Sequence, residues 1–104
     1  LPHNPDAVFV ASDKMAEGAL KALQQHNICV PQQIAIVGFD DLPSSAQTTP
    51  PLTTVRQPIA RTGALAVKTL IHQLEGHHEV RRLILPTELV VRDSCGQYLK
   101  EQLI

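Results

Sequence analysis

An α/β fold with a partial, doubly wound and mostly parallel sheet is what this sequence predicts, on three observations. The stretch IAIVGFDD, Ile34 to Asp41, carries five apolar residues and a glycine in its first six positions, then breaks into two adjacent carboxylates. A short continuous run rich in Ile and Val reads as a strand buried on both faces, as in a parallel sheet. An earlier apolar run, DAVFVAS (Asp6 to Ser12), is separated from it by a segment of helical periodicity. Strand, helix and strand in that order form a crossover that is right-handed almost without exception. The third observation is LTTVRQ (Leu52 to Gln57), another β-branched run, followed by a second helical stripe.

Taken in order, Ser12 or Asp13 is placed to cap the first helix. Met15, Ala16, Ala19, Leu20 and Leu23 then recur at three- and four-residue spacing as one apolar stripe. Asn27 suits the left-handed residue that stops the helix. ICVPQQ forms the connection, and Ile34 opens the second strand. After Asp41 the segment LPSSAQTTPP is polar and proline-rich, so it reads as a loop. Pro58 suits the first turn of the second helix. On that helix Ile59, Gly63, Ala66, Val67, Leu70, Ile71 and Leu74 make a stripe, and Gly76 ends it. HHEVRR is a polar link. RRLILPTELVVRD predicts two short β runs, Arg82 to Leu85 and Glu88 to Arg92, parted around Pro86. The tail SCGQYLKEQLI reads as partly helical. Three parallel strands and two helices do not cover both faces of a large doubly wound sheet, so the sheet is expected to be incomplete.

The chain has 104 residues, enough for one domain. A hydrophobic content of 43% and a charged content of 18% predict a folded chain. The formal net charge of -1 offers no basic excess for nucleic acid. No apolar run reaches bilayer length and LPHNPD does not start a signal peptide, so a cytoplasmic chain without a membrane partner is expected. Cys29 and Cys95 fit no metal or redox spacing and read as free thiols.

Open parallel sheets bind ligands outside the carboxyl ends of their strands, which is where Asp40 and Asp41 fall. A carboxylate there can accept the vicinal hydroxyls of a sugar, or it can cap backbone amides; position and residue type leave both open. For Ser12 and Asp13 a helix cap is sufficient explanation. Phe39 either joins the core or offers an apolar wall to a sugar face. Arg56, on the opposite strand face from Gln57, is expected in structural pairs. His72, His77, His78 and Glu79 lack metal-ligand spacing, since adjacent histidines point apart, and they read as a solvated helix end. His3 and His26 are isolated. No G-x-G-x-x-G, G-x-x-x-x-G-K or G-x-S-x-G occurs, and Ser44 and Ser45 have no His-Asp arrangement nearby in sequence. No cofactor and no catalysis are expected.

The strings VPQQIAIVGFDD, PPLTTVRQP and LPTELVVRDSC, in this order and spacing, resemble the LacI-type (LacI/GalR family) bacterial transcriptional regulators, whose core is similar to a periplasmic sugar-binding protein. The resemblance runs from Asp6 to Cys95 and implies the C-terminal part of such an effector-binding core. Residues 6–57 would be strands and helix of one lobe, 58–76 a helix packing on the other lobe, and 80–95 strands returning to the first. The helix-turn-helix headpiece that reads operator DNA lies outside these residues. The resemblance further implies a small effector, a carbohydrate, held between the lobes by Ser12, Asp40 and Gln57, and Asp13 and Phe39 beside them complete the expected effector-binding set. It favours Asp40 as the ligand carboxylate, leaves Asp41 to structure, and places Gln57 at the hinge. The family usually carries Asn where Ser12 stands; a hydroxyl offers one donor instead of an amide's two, which leaves effector identity open. A homodimer is also implied, with Lys14, Glu17, Gly18 and Lys21 of the first helix and Ser45 and Thr48 of the later loop at the subunit contact. A periplasmic sugar-binding protein of a transport system is the alternative on the same core, and a small α/β enzyme a more distant one.

Overall fold

The computed structural model describes residues 5–77 and 82–102. Two units make up the chain: Leu1–Arg56 with Glu88–Ile104 form the first, and Gln57–Thr87 the second.

In the first unit β1 (Ala7–Phe9) and β2 (Ala35–Val37) run parallel, with Ala7 opposite Ala35, Val8 opposite Ile36 and Phe9 opposite Val37. The parallel order continues beyond β2 through bridges from Val37 to Thr53 and from Asp40 to Arg56. Gly38 N donates to the Thr53 carbonyl and Asp40 N to the Val55 carbonyl, each at 2.9 Å. These bonds bring β3 (Thr54–Arg56) alongside the outgoing end of β2. β3 in turn pairs antiparallel with β4 (Glu88–Val90), Thr54 opposite Val90 and Arg56 opposite Glu88. The sheet is thus mixed, with parallel order through its first three strands.

Helix α1 (Asp13–Gln25) starts where Ser12 Oγ accepts the Met15 amide at 3.2 Å. It stops at Asn27, whose φ of 56° is the left-handed value expected there. The stripe on α1 supplies Ala16 and Leu20 to a core completed by Ile36 and Leu52, with Val10, Leu23, Val30 and Ile34 packed around it. A short 3-10 turn, Pro43–Gln47, lies in the proline-rich loop, and a second, Asp93–Cys95, follows β4. Buried Ser94 in the second turn ties two strands together. Its hydroxyl accepts Thr53 N at 2.8 Å and donates to the Ile36 carbonyl at 2.6 Å. The tail is helical as expected, as α3 (Gln97–Gln102).

The second unit is built on α2 (Ile59–Leu74), closed by Gly76 at φ 98°. No residue of α2 is buried, and the predicted stripe Ile59, Val67, Leu70, Ile71 and Leu74 is exposed. Arg82 to Leu85, expected as a strand, is irregular. Among the described residues it has no strand to pair with, and Leu83 and Leu85 lie along α2 instead, beside Leu65 and Thr69. His72 and His77 stack face to face at the helix end, 4.1 Å between ring centres. His3, His78 and Glu79 lie outside the described residues. No helix among the described residues is long and apolar enough to cross a membrane.

Candidate functional site

The carboxyl ends of β1 and β2 bring four of the expected effector residues together. Val10 N donates to the Val37 carbonyl at 2.8 Å and Asp13 N to the Phe39 carbonyl at 2.9 Å, which holds Ser12 and Asp13 beside Phe39 and Asp40. Ser12 is half-buried; its oxygen caps α1 and its hydroxyl proton is left to donate. Phe39 is half-buried and meets Phe9 edge to face, 6.4 Å between centroids at 77°. Gln57 belongs to the second unit, where it is half-buried and its carbonyl accepts Ile59 N at 2.9 Å.

Asp13 sits at that strand end, but its side chain turns inward instead of towards a ligand. It is fully buried, and its carboxylate is a hub for the fold. Oδ1 accepts Thr54 Oγ1 at 2.6 Å, while Oδ2 accepts Ser45 Oγ at 2.5 Å and Leu42 N at 3.1 Å. A buried carboxylate is tolerated only when hydrogen-bonded in this way, and these donors leave it facing the interior rather than a ligand. The same hub corrects Ser45, whose side chain is fully buried on Asp13 and presents nothing to a subunit contact.

The two aspartates after β2 both hold positive φ, 127° at Asp40 and 59° at Asp41. Such backbone costs a non-glycine residue about 1–3 kcal/mol. Asp40 N is anchored on Val55, as above, and Asp41 N donates to Thr54 Oγ1 at 3.3 Å. The Asp41 carboxylate sits between two arginines, Arg56 Nε on Oδ2 at 2.7 Å and Arg92 Nη2 on Oδ1 at 2.8 Å. Partial burial pushes this carboxyl up, but hydrogen bonds from Arg56 and Arg92 and their charges outweigh it, so it titrates below the ordinary value. Arg56, expected in structural pairs, also reaches Glu88 Oε2 at 3.5 Å. Asp41 raises the basicity of Arg56 through that hydrogen bond and its charge.

The remaining residues expected at a subunit contact lie on the outer face of α1 and in the loop. Lys14, Gly18 and Lys21 are exposed, and no atom approaches within 4 Å of a β-carbon placed on Gly18. Glu17 pairs with Lys14 at 3.9 Å and accepts Ser44 Oγ at 2.5 Å. Thr48 Oγ1 lies 3.1 Å from the Ser45 carbonyl and 2.9 Å from that of Pro50, so this hydroxyl serves the turn.

Sequence reasoning missed Thr54 and Arg92. Both act through partners more than thirty residues away in the chain, and no local pattern marks them. Among the described residues no group of His, Cys, Asp and Glu is arranged to hold a metal ion. What the arrangement offers is hydrogen-bond acceptance at a carboxylate, a hydroxyl donor and an aromatic wall.

Residues 1–95 match the family model described as a periplasmic binding protein-like domain. The HTH-type transcriptional repressor MelR of Bacillus subtilis is 44% identical over 99 residues, covering 95% of this chain and 29% of that protein. The lactose operon repressor of Rhizobium radiobacter is 40% identical over 91 residues, covering 88% of this chain and 80% of that one. Among solved structures, a transcriptional regulator CelR–cellobiose complex superposes with a TM-score of 0.81 at 40% identity, covering 86% of this chain and 28% of that one. The Lac repressor dimer bound to operator and the anti-inducer ONPF does so with 0.79 at 34% identity, covering 86% and 32%. The chain spans 29% of MelR and 27% of the ribose operon repressor of Haemophilus influenzae, under a third of either length. By the model match and these relatives, the chain belongs to the LacI-type family of transcriptional regulators and corresponds to the C-terminal part of their periplasmic-binding-protein-like effector core.

Proposed function

We propose that this chain is the effector-sensing part of a LacI-type transcriptional repressor. A small carbohydrate binds between its lobe and a second one and controls operator binding by a helix-turn-helix domain elsewhere in the protein. The observation that carries the reading is Asp40, an aspartate kept at φ 127° at the carboxyl end of a parallel strand, next to Ser12 and Phe39. Carboxylate, hydroxyl and aromatic face are the groups a polyhydroxylated ligand meets. The relatives support the regulator over the transport alternative, since MelR, the ribose operon repressors and the lactose operon repressor are all named as repressors or regulators of transcription. The effector acts by binding one lobe arrangement more tightly than the other, the only way a ligand shifts such an equilibrium. The working protein is a homodimer, with Lys14, Glu17, Gly18 and Lys21 at the subunit contact, and catalysis has no part in it.

Isothermal titration of the full-length protein with ribose, lactose, cellobiose and sucrose, paired with an operator-release assay, tests this reading. Saturable heat with one sugar and altered operator affinity in its presence are expected. Absence of any heat across the panel overturns the carbohydrate assignment, and operator affinity indifferent to a bound sugar overturns the sensing role.

A further inference from the structure

Two consecutive aspartates with positive φ close β2, at 127° and 59°. A turn that only joined β2 to the next segment would be met without strain by glycine. Strain kept at both positions points to a use for both carboxylates. The Asp41 carboxylate holds two arginines. Its Oδ1 accepts Arg92 Nη2 at 2.8 Å, and Nη1 of the same guanidinium donates to the Leu52 carbonyl at 2.9 Å. The Arg92 backbone N–H donates to Thr53 Oγ1 at 2.8 Å. Arg92 is therefore fastened twice to the chain entering β3 and once to Asp41. A guanidinium is planar and rigid, so fixing one edge fixes the other. Arg56 holds the second oxygen of Asp41, but its side chain is 52% exposed against 18% for Arg92, and exposed pairs are the weaker kind.

We propose that Arg92 and Asp41 are positioning residues for Asp40. Their ion pair holds the turn in its rare backbone conformation and so sets the direction in which residue 40 carries its carboxylate to the effector. The effector half of this statement rests on the function proposed above; the backbone half stands independently of it.

The test uses the full-length protein with Arg92→Gln, Arg92→Lys and Asp41→Asn, each crystallised and each titrated with ribose, lactose, cellobiose and sucrose. In Arg92→Gln, φ at residue 40 or 41 is expected to leave the positive region, and affinity for whichever sugar binds the parent to fall about tenfold. Arg92→Lys, which keeps one donor for Asp41, recovers part of the loss. Arg92→Gln combined with Asp40→Asn loses no more than Asp40→Asn alone, because the pair acts only through that carboxylate. An arginine that merely stabilised the lobe would add its own loss. An unchanged turn in Arg92→Gln, or additive losses, overturns the proposal. Should the parent bind none of the sugars, the carbohydrate reading fails, and the turn geometry of the variants still decides the positioning role. Asp41→Asn keeps the test open if Arg92→Gln does not fold, since asparagine tolerates the left-handed region at residue 41.

Discussion

A β-carbon on Gly38 would stand 2.3 Å from Asp13 Oδ1, closer than real side chains ever approach. The glycine in the middle of IAIVGFDD is therefore a matter of space, not of φ. It lets the end of β2 pass against a buried carboxylate. The same β-carbon would lie 3.0 Å from Leu52 Cδ2, in the core. Gly38→Ala forces either Asp13 or Leu52 to move, and overpacking of this kind costs about 1–3 kcal/mol. A thermal melt of the variant should show a clear drop, and an unchanged melting temperature would mean that the hub yields freely.

Asp13→Ala should be worse. Thr54 Oγ1 and Ser45 Oγ would lose their acceptor at a buried site, and Leu42 N at a partly buried one. An unsatisfied buried polar group costs about 1–3 kcal/mol, so with three donors left a loss of ~3 kcal/mol or more is expected. Urea denaturation of the variant reads it. Asp13→Asn, which keeps acceptor capacity at one oxygen, should lie between the two; a loss below about 1 kcal/mol for Asp13→Ala contradicts the hub.

This hub marks where the sequence stopped being legible. Signals confined to one turn of chain read through correctly: the Ser12 cap, the left-handed Asn27, Gly76 closing α2. Each depends on a few neighbouring residues and on local backbone geometry. Asp13 reads as a cap or a ligand contact for the same local reason, since it follows a strand and precedes a helix. Its real partners come from residues 42, 45 and 54, which only the parallel arrangement of β1, β2 and β3 brings together. Arg92 joins Asp41 across a separation of 51 residues, and nothing in LPTELVVRDSC distinguishes that arginine from a solvated one. Arg82 to Leu85 shows the converse: its composition suits a strand, but a strand needs a partner edge, and among the described residues this segment has none.

Asp40→Asn in the full-length protein should weaken effector response and leave the fold intact. Asp40 is half-buried, and asparagine keeps its size and its tolerance of positive φ. A hydrogen bond to a charged group is worth about 1.5–3 kcal/mol, which corresponds to a loss of about tenfold or more in affinity. Calorimetric titration with the sugar the parent binds measures it, with a melting curve as the control. Parental affinity in the variant removes Asp40 from the site.

The Asp41 pair predicts an acid-sensitive component of stability. Its folded carboxyl titrates below the ordinary value of 3.8 because Arg56 and Arg92 outweigh the effect of burial. The unfolded chain then takes up the proton first as pH falls. The contribution is fully present above the unfolded value and is lost on acidification through the lower folded one. Stability of the parent should therefore fall more steeply below about pH 4 than that of Asp41→Asn, which has no proton to take up. Urea midpoints measured from pH 6 to pH 3 should converge as the medium becomes more acid. Parallel curves would show that the pair contributes nothing.

The isolated chain of 104 residues should self-associate. In α2 burial and sequence pattern disagree. Its stripe is as apolar as that of a core helix, yet Ile59 is 59% exposed, Val67 57%, Leu70 55%, Ile71 50% and Leu74 78%. In a soluble monomer, contiguous exposed apolar surface of this kind is uncommon, because each buried methylene contributes about 0.8 kcal/mol. Two copies can bury the stripe against each other about a two-fold axis, the usual geometry of a homodimer. Leu70→Glu and Leu74→Glu, placed at the middle and end of the stripe, should then drive the chain back to a monomer without harming the core around Ile36 and Leu52, which belongs to the other unit. Light scattering over a concentration series reads both states. A mass of 11.4 kDa for the parent chain at high concentration would show that the stripe stays exposed to water.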